Sequence, residues 1–281
     1  MQEKQEFVYS AETDYRAGSP HLAHHVLYDR LVGILRQTLR DLKAAGLPLS
    51  VLEIGAGHGG YTEPALAAGC QVTAVEMSRP SLARLAEKFG ANANFKGVFD
   101  LDGTLSEVGS GFSLILYIAV LHHIPDYLAA LTEASSRLLP GGALLSLQDP
   151  IWYPRQSKVS RGLYRVGYYV WRLPRGNWKR GVGSVVRRTR GTLDEENPSD
   201  MVEYHVVRNG VDESAISDLL LKKFGDVQVL SYWSSQSATV QWIGTRLRLR
   251  NTFGILATGY RGPSHNEAVS ASSEVSIANR L

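Results

Sequence analysis

Apolar residues at Leu22, Val26, Leu27, Leu31, Ile34, Leu35, Leu39 and Leu42 recur at helical spacing, and Gly46 and Pro48 close the run. A helix is therefore predicted over His21–Ala45. From there short apolar runs alternate with amphipathic ones. The runs predict strands at Val51–Ile54, Val72–Val75, Asn94–Phe99, Phe112–Ala119 and Ala143–Leu147. Between them the pattern predicts a helix over Tyr61–Ala68 and a second from Ser78, a suitable N-cap with Pro80 in the first turn, to Phe89. A third covers Asp126–Leu139 and stops at Pro140-Gly141-Gly142. Further on, Glu213–Phe224 and Ala238–Leu249 read as helices, and Val227–Tyr232 and Gly254–Tyr260 as strands.

Alternating strands and helices of this kind imply a doubly wound α/β fold with a mostly parallel sheet of about seven strands. In such sheets ligands bind beyond the carboxyl ends of the strands. Glu53, Glu76, Asp100, the turn Ile118–His123 and Asp149 all fall at predicted carboxyl ends. Residues far apart in sequence can thus converge on one crevice.

The first strand runs into Gly55-Ala56-Gly57-His58-Gly59-Gly60. Glycines there allow a sharp turn and let the backbone approach a ligand, and the helix that follows offers N–H groups at its start. Gly55, Gly57 and Gly60 also satisfy the dinucleotide pattern, which taken singly is a weak signal. Glu76 ends the second strand about 20 residues on, where an acid can accept from both ribose hydroxyls of a nicotinamide or an adenosyl cofactor. Two features favour the adenosyl alternative. No tyrosine is followed four residues later by lysine, as a short-chain reductase would need. Glu53, two residues before the first glycine, suits an ammonium group better than a pyrophosphate.

Val51-Leu52-Glu53-Ile54-Gly55-Ala56-Gly57-His58-Gly59, Val75-Glu76-Met77-Ser78, Val120-Leu121-His122-His123-Ile124-Pro125-Asp126 and Leu138-Leu139-Pro140-Gly141-Gly142 occur in that order. Together they resemble the class I S-adenosylmethionine-dependent methyltransferases, and the Leu-His-His-Ile-Pro-Asp run is similar to the small-molecule branch with the ubiquinone and menaquinone enzymes. The resemblance covers residues 50–150 well and the last strands loosely. It implies the Rossmann-like methyltransferase fold, with S-adenosylmethionine lying on Gly55, Ala56, Gly57 and Gly59. It further implies Glu53 for the methionine amino group, Glu76 for the ribose, Met77, Phe99 and Asp100 around the adenine, and Ile118 as floor. The family's usual Gly-Asp pair reads Gly97-Val98 here, which shifts the adenine contact by a residue or two. N-terminal segments of the family often fold over the cofactor, which makes Tyr15, Ser19 and His21 site candidates.

Methyl transfer from a sulfonium needs alignment and exclusion of water, and a hydroxyl acceptor benefits from a base. His122, His123 and Asp149 are the candidate bases, each with the plainer alternative of a local turn or cap role. Tyr204 and His205, just after the insertion described next, are candidate acceptor contacts. The histidines and acids lack ligand-like spacing, so no metal is expected.

Charge changes the picture after residue 150. The net charge of +3 conceals eleven Arg or Lys and no acid in residues 151–193, which leaves 19 basic against 27 acidic residues elsewhere. The stretch is also aromatic, with Trp152, Tyr153, Tyr164, Tyr168, Tyr169, Trp171 and Trp178. It predicts a substrate cap, with Tyr153 among its contacts, for an anionic, lipid-like or glycosylated acceptor. The same composition fits a peripheral membrane contact through 151–193 or, less well, an RNA-binding face. The Asn/Asp-Pro-Pro-Tyr/Phe turn of amino-group nucleobase methyltransferases is lacking after the fourth strand. A non-methylating protein that keeps the cofactor site is the remaining alternative. The domain division expected is a helical segment 1–49, a cofactor-binding core 50–150, the cap 151–205, the completion of the sheet 206–261 and a disordered tail 262–281. With one cysteine, Cys70, and neither a signal peptide nor a long apolar run, the expected setting is reduced and cytoplasmic. The function expected is O-methylation of a small or lipid-like acceptor in secondary metabolism.

Overall fold

The computed structural model describes residues 19–172 and 210–262. Helices α1 (Pro20–Ala23) and α2 (His25–Ala44) lead into β1 (Ser50–Ile54), α3 (Thr62–Ala67), β2 (Gln71–Glu76), α4 (Arg79–Phe89) and β3 (Phe95–Phe99). Then come β4 (Phe112–Ile118), α5 (Tyr127–Ser135), β5 (Leu138–Pro150) and α6 (Lys158–Arg172). The chain closes with α7 (Glu213–Leu221), β6 (Phe224–Tyr232), α8 (Ala238–Arg246) and β7 (Thr252–Tyr260). The seven strands form one sheet in the order β3-β2-β1-β4-β5-β7-β6. β7 runs antiparallel to both β5 and β6, and the other neighbours are parallel.

Continuous apolar runs form the central strands because both faces of the sheet are covered. On one face Ile115, Tyr117 and Leu144 pack with Leu131 and Ala134 of α5 and Ile216 and Leu220 of α7. On the other, Leu114, Leu116 and Leu145 pack with Leu27, Leu31, Leu35 and Leu39 of α2. The topology reverses direction beside β1 and β4, which is where sheets of this kind bind ligands, beyond the carboxyl ends of the strands.

Several predicted boundaries move, three of them for reasons visible in the tertiary structure. The first helix breaks at His24, whose backbone is extended (φ −102°, ψ 105°) and whose Nε2 lies 2.7 Å from the Ser235 carbonyl oxygen. That contact is tertiary and leaves no mark in the local pattern. The helix expected over Asp126–Leu139 ends at Ser135. Leu138 already pairs with Phe112, and the chain bulges through Gly141 (φ 83°) before Ala143 meets Leu114. The helix expected to reach Phe224 stops at Leu221, because Phe224 is fully buried, pairs from β6 with Tyr260 of β7 and packs tilted against its ring.

A second bulge, in β5, matters for the site. Ser146 pairs with Ile255 and Asp149 with Phe253, so β5 spends three residues where β7 spends two. Gln148 takes up the difference in a left-handed conformation (φ 71°). Strand alternation would put side chains three apart on opposite faces. The bulge returns Asp149 to the face of Ser146, and the Ser146 hydroxyl donates to Asp149 Oδ2 at 3.0 Å.

Candidate active site

The glycine loop after β1 is built for close approach. Gly55, Gly57 and Gly59 all have positive φ (69°, 55° and 75°), a region side chains disfavour. A Cβ on Gly55 would lie 2.6 Å from Val120, and one on Gly59 only 2.4 Å from Phe89. Gly55 and Ala56 donate to the Val75 carbonyl, which ties the loop to β2.

Glu76 closes the loop from the end of β2. Its two carboxylate oxygens accept from the N–H groups of Gly57 (2.8 Å) and Ser78 (3.0 Å). Burial raises its pKa, and the backbone hydrogen bonds oppose that rise. With about four lone-pair sites in all, the carboxylate keeps acceptor capacity for a ligand hydroxyl.

Glu53, in β1, is a deeply buried acid. The hydroxyl of Thr62, at the start of α3, donates to its Oε2 at 2.5 Å, and it forms no ion pair among the described residues. Desolvation pushes its carboxyl up to about 7, with Thr62 opposing the shift and Glu76 adding to it. The consequence for stability has a definite sign. The folded state holds this proton more tightly than an ordinary carboxyl of 4.5, so the contribution is fully present below 4.5 and lost as pH rises through about 7. Glu53→Gln is therefore expected to narrow the difference in melting temperature between pH 5 and pH 8, measured without ligand. Identical pH profiles for the two proteins would show that Glu53 is ionised throughout.

Beyond β4 the chain turns through Ala119 (φ 58°) into a short 3-10 turn, Leu121–His123. His122 is fixed there by Asp149. Both its backbone N–H (3.1 Å) and its ring Nδ1 (2.9 Å) meet Asp149 Oδ1, and Asp149 is wholly buried. The His123 ring lies 4.0 Å from the His122 ring, centre to centre. α1 brings His21 into the same neighbourhood. Burial, and secondarily the charge of His122, press its pKa down to about 3, so His21 stays neutral. Its ring sits 6.1 Å from that of Tyr61.

The other expected site residues have varied settings. Ile118 is buried at the end of β4, and Met77 is partly exposed after β2. Phe99 has the Arg79 guanidinium 3.9 Å above its ring. Asp100 accepts from Gly103 and Leu105 at 3.0 Å each and so organises its own loop. Ser19 precedes α1 without a side-chain capping bond. Tyr153 lies on a 3-10 turn after β5, its carbonyl accepting from Arg161. Tyr15, Tyr204 and His205 fall outside the described residues, as do the tail and most of the basic insertion. Thr62 and Ser146, which hold Glu53 and Asp149, are absent from the sequence-derived candidates. No motif marks Thr62, and Ser146 reaches Asp149 only through the bulge.

Sheet order, glycine loop and the two acids define the class I methyltransferase architecture. Residues 52–144 match the family model described as a methyltransferase domain, and this segment is a class I S-adenosylmethionine-dependent methyltransferase domain. The chain is 31% identical over 159 residues to a highly reducing polyketide synthase, stpks1, of Strobilurus tenacellus, covering 53% of this chain and 6% of that protein. It is 33% identical over 131 residues to a ubiquinone biosynthesis O-methyltransferase of Dinoroseobacter shibae, covering 44% of this chain and 52% of the relative. The chain thus spans about half the length of one of these relatives and a small fraction of the other. Among solved structures, the N-methyltransferase NodS of Bradyrhizobium japonicum, in complex with S-adenosyl-L-homocysteine, shares the fold. Its TM-score is 0.52 at 16% identity, over 94% of this chain and 98% of that one.

Proposed function

We propose that this protein is an S-adenosylmethionine-dependent methyltransferase of a small or lipid-like acceptor, with a hydroxyl oxygen as the methylated atom. The observation that carries the cofactor assignment is Glu53. It is a buried acid beside a glycine cradle, with a raised pKa and no countercharge among the described residues. The ammonium of a methionine moiety would supply that countercharge, and Glu76 at the loop's far end has lone pairs for ribose hydroxyls. When bound, S-adenosylmethionine supplies a methyl group already activated on a sulfonium.

The chain's own residues then have to orient the acceptor, exclude water and move a proton. His122 is the base we assign. The contact of its Nδ1 with Asp149 fixes the ring, and an anion at that nitrogen stabilises the imidazolium formed when the other nitrogen takes the hydroxyl proton. Asp149 is the positioning residue, and Ser146 holds it in turn. His21, kept neutral, adds no competing positive charge beside the imidazolium. The polyketide synthase and the ubiquinone O-methyltransferase, by their names, concern small molecules, which supports an acceptor of that class here.

Calorimetry tests the cofactor half. S-adenosylmethionine is expected to bind with proton release below about pH 7, because pairing lowers the pKa of Glu53. Absence of binding would overturn the reading. The acceptor half is tested by incubating extracts with isotope-labelled cofactor and searching by mass spectrometry for species that gain one labelled methyl. Label confined to RNA would overturn the small-molecule assignment.

A further inference from the structure

Helix α6 leaves β5 by way of a short turn and packs against α8, yet it turns its apolar side outward. Its most deeply buried positions are small residues, with Leu163, Tyr164, Tyr168 and Trp171 half-buried beside them. Ser160 and Gly167 are buried, and a Cβ on Gly167 would lie 2.7 Å from Ser235 Oγ and 2.8 Å from Val240 of α8. Val159, Val166 and Val170 recur at helical spacing on another side and remain 65%, 55% and 47% exposed. Lys158, Arg161 and Arg165 recur at helical spacing as a second stripe, with Gly162 and Tyr169 between the two, and α6 carries no acid. On α8, Trp242 is 66% exposed, and exposed Arg246, Arg248 and Arg250 follow it closely.

Three exposed valines on one short helix lose burial that a globular protein would ordinarily recover by rotating the helix. Here the close contact at Gly167 fixes the rotation. An apolar stripe flanked by cations is the pattern of a helix lying in a membrane interface, where apolar groups enter the acyl boundary and cations meet anionic headgroups. Nucleic acid would engage the cations and leave the valines in water.

We propose that α6 docks this protein on an anionic lipid surface through Val159, Val166 and Val170, with Lys158 and Arg165 contacting the headgroups. The docking is independent of methyl transfer, and its test reads neither turnover nor acceptor. The full chain is sedimented with vesicles of phosphatidylcholine alone and of phosphatidylcholine mixed with phosphatidylglycerol. Binding is expected only to the mixed vesicles, weakened at least about tenfold by V166E/V170E, and weakened again by K158Q/R165Q together with a loss of salt sensitivity. Unaltered melting and S-adenosylmethionine binding in both variants show that fold and cofactor site are intact. Equal binding to both vesicle types, or V166E/V170E sedimenting like the parent protein, overturns the proposal. So does a preference for polyuridine RNA that survives V166E/V170E.

Discussion

Replacing Glu76 by alanine is expected to weaken S-adenosylmethionine binding by about 100-fold, measured by titration calorimetry. Two losses combine. The ligand loses the acceptor for its ribose hydroxyls, and the N–H groups of Gly57 and Ser78 lose the carboxylate that positions them. Ser78 also caps α4 by accepting from the Ser81 N–H, so part of the loss is in loop order rather than direct contact. Glu76→Gln separates the two, since one amide oxygen can accept only part of what the carboxylate does. It is expected to fall between the parent and the alanine variant. An affinity within about threefold of the parent for Glu76→Ala would remove Glu76 from the cofactor site.

The second large effect is expected at Asp149. Asp149→Asn keeps the volume, removes the charge, and offers the ring Nδ1 of His122 an amide that can point either oxygen or nitrogen toward it. Turnover should fall roughly 1,000-fold, with cofactor affinity unchanged. His122→Ala should cost a similar factor, and the double variant little more, because the two act as one unit. Additive losses would mean that they act separately. A near-normal rate for His122→Ala would leave alignment of the acceptor as the whole of catalysis. A fall in cofactor affinity in either variant would point instead to a collapsed crevice.

The order of strands and helices was readable because the central strands are apolar on both faces while α2 and α4 are amphipathic. The two patterns differ in period and do not depend on neighbours. Ends of elements were harder. The strand from Leu138 and the start of β6 at Phe224 depend on pairing with Phe112 and Tyr260, which no local window contains. The glycine loop was legible from Gly55, Gly57 and Gly59, since only glycine accepts positive φ at so many close positions without strain. Glu53 and Glu76 were legible as acids at strand ends. Their hydrogen-bond partners, Thr62 for Glu53 and the Gly57 and Ser78 N–H groups for Glu76, were not. A basic aromatic composition fits membrane attachment, acceptor binding and RNA alike, and the burial of Ser160 and Gly167 in place of the valines of α6 favours the first.

By itself, then, the sequence determined the mostly parallel sheet and the placing of acids and glycines at the carboxyl ends of its strands, because hydrophobic period and glycine content act locally. Tertiary structure alone decided that His122, Asp149 and Ser146 form one unit. Strand alternation assigns Ser146 and Asp149 to opposite faces. The extra residue at Gln148, held in place by the antiparallel pairing of β5 with β7, turns Asp149 back to Ser146 and beneath His122.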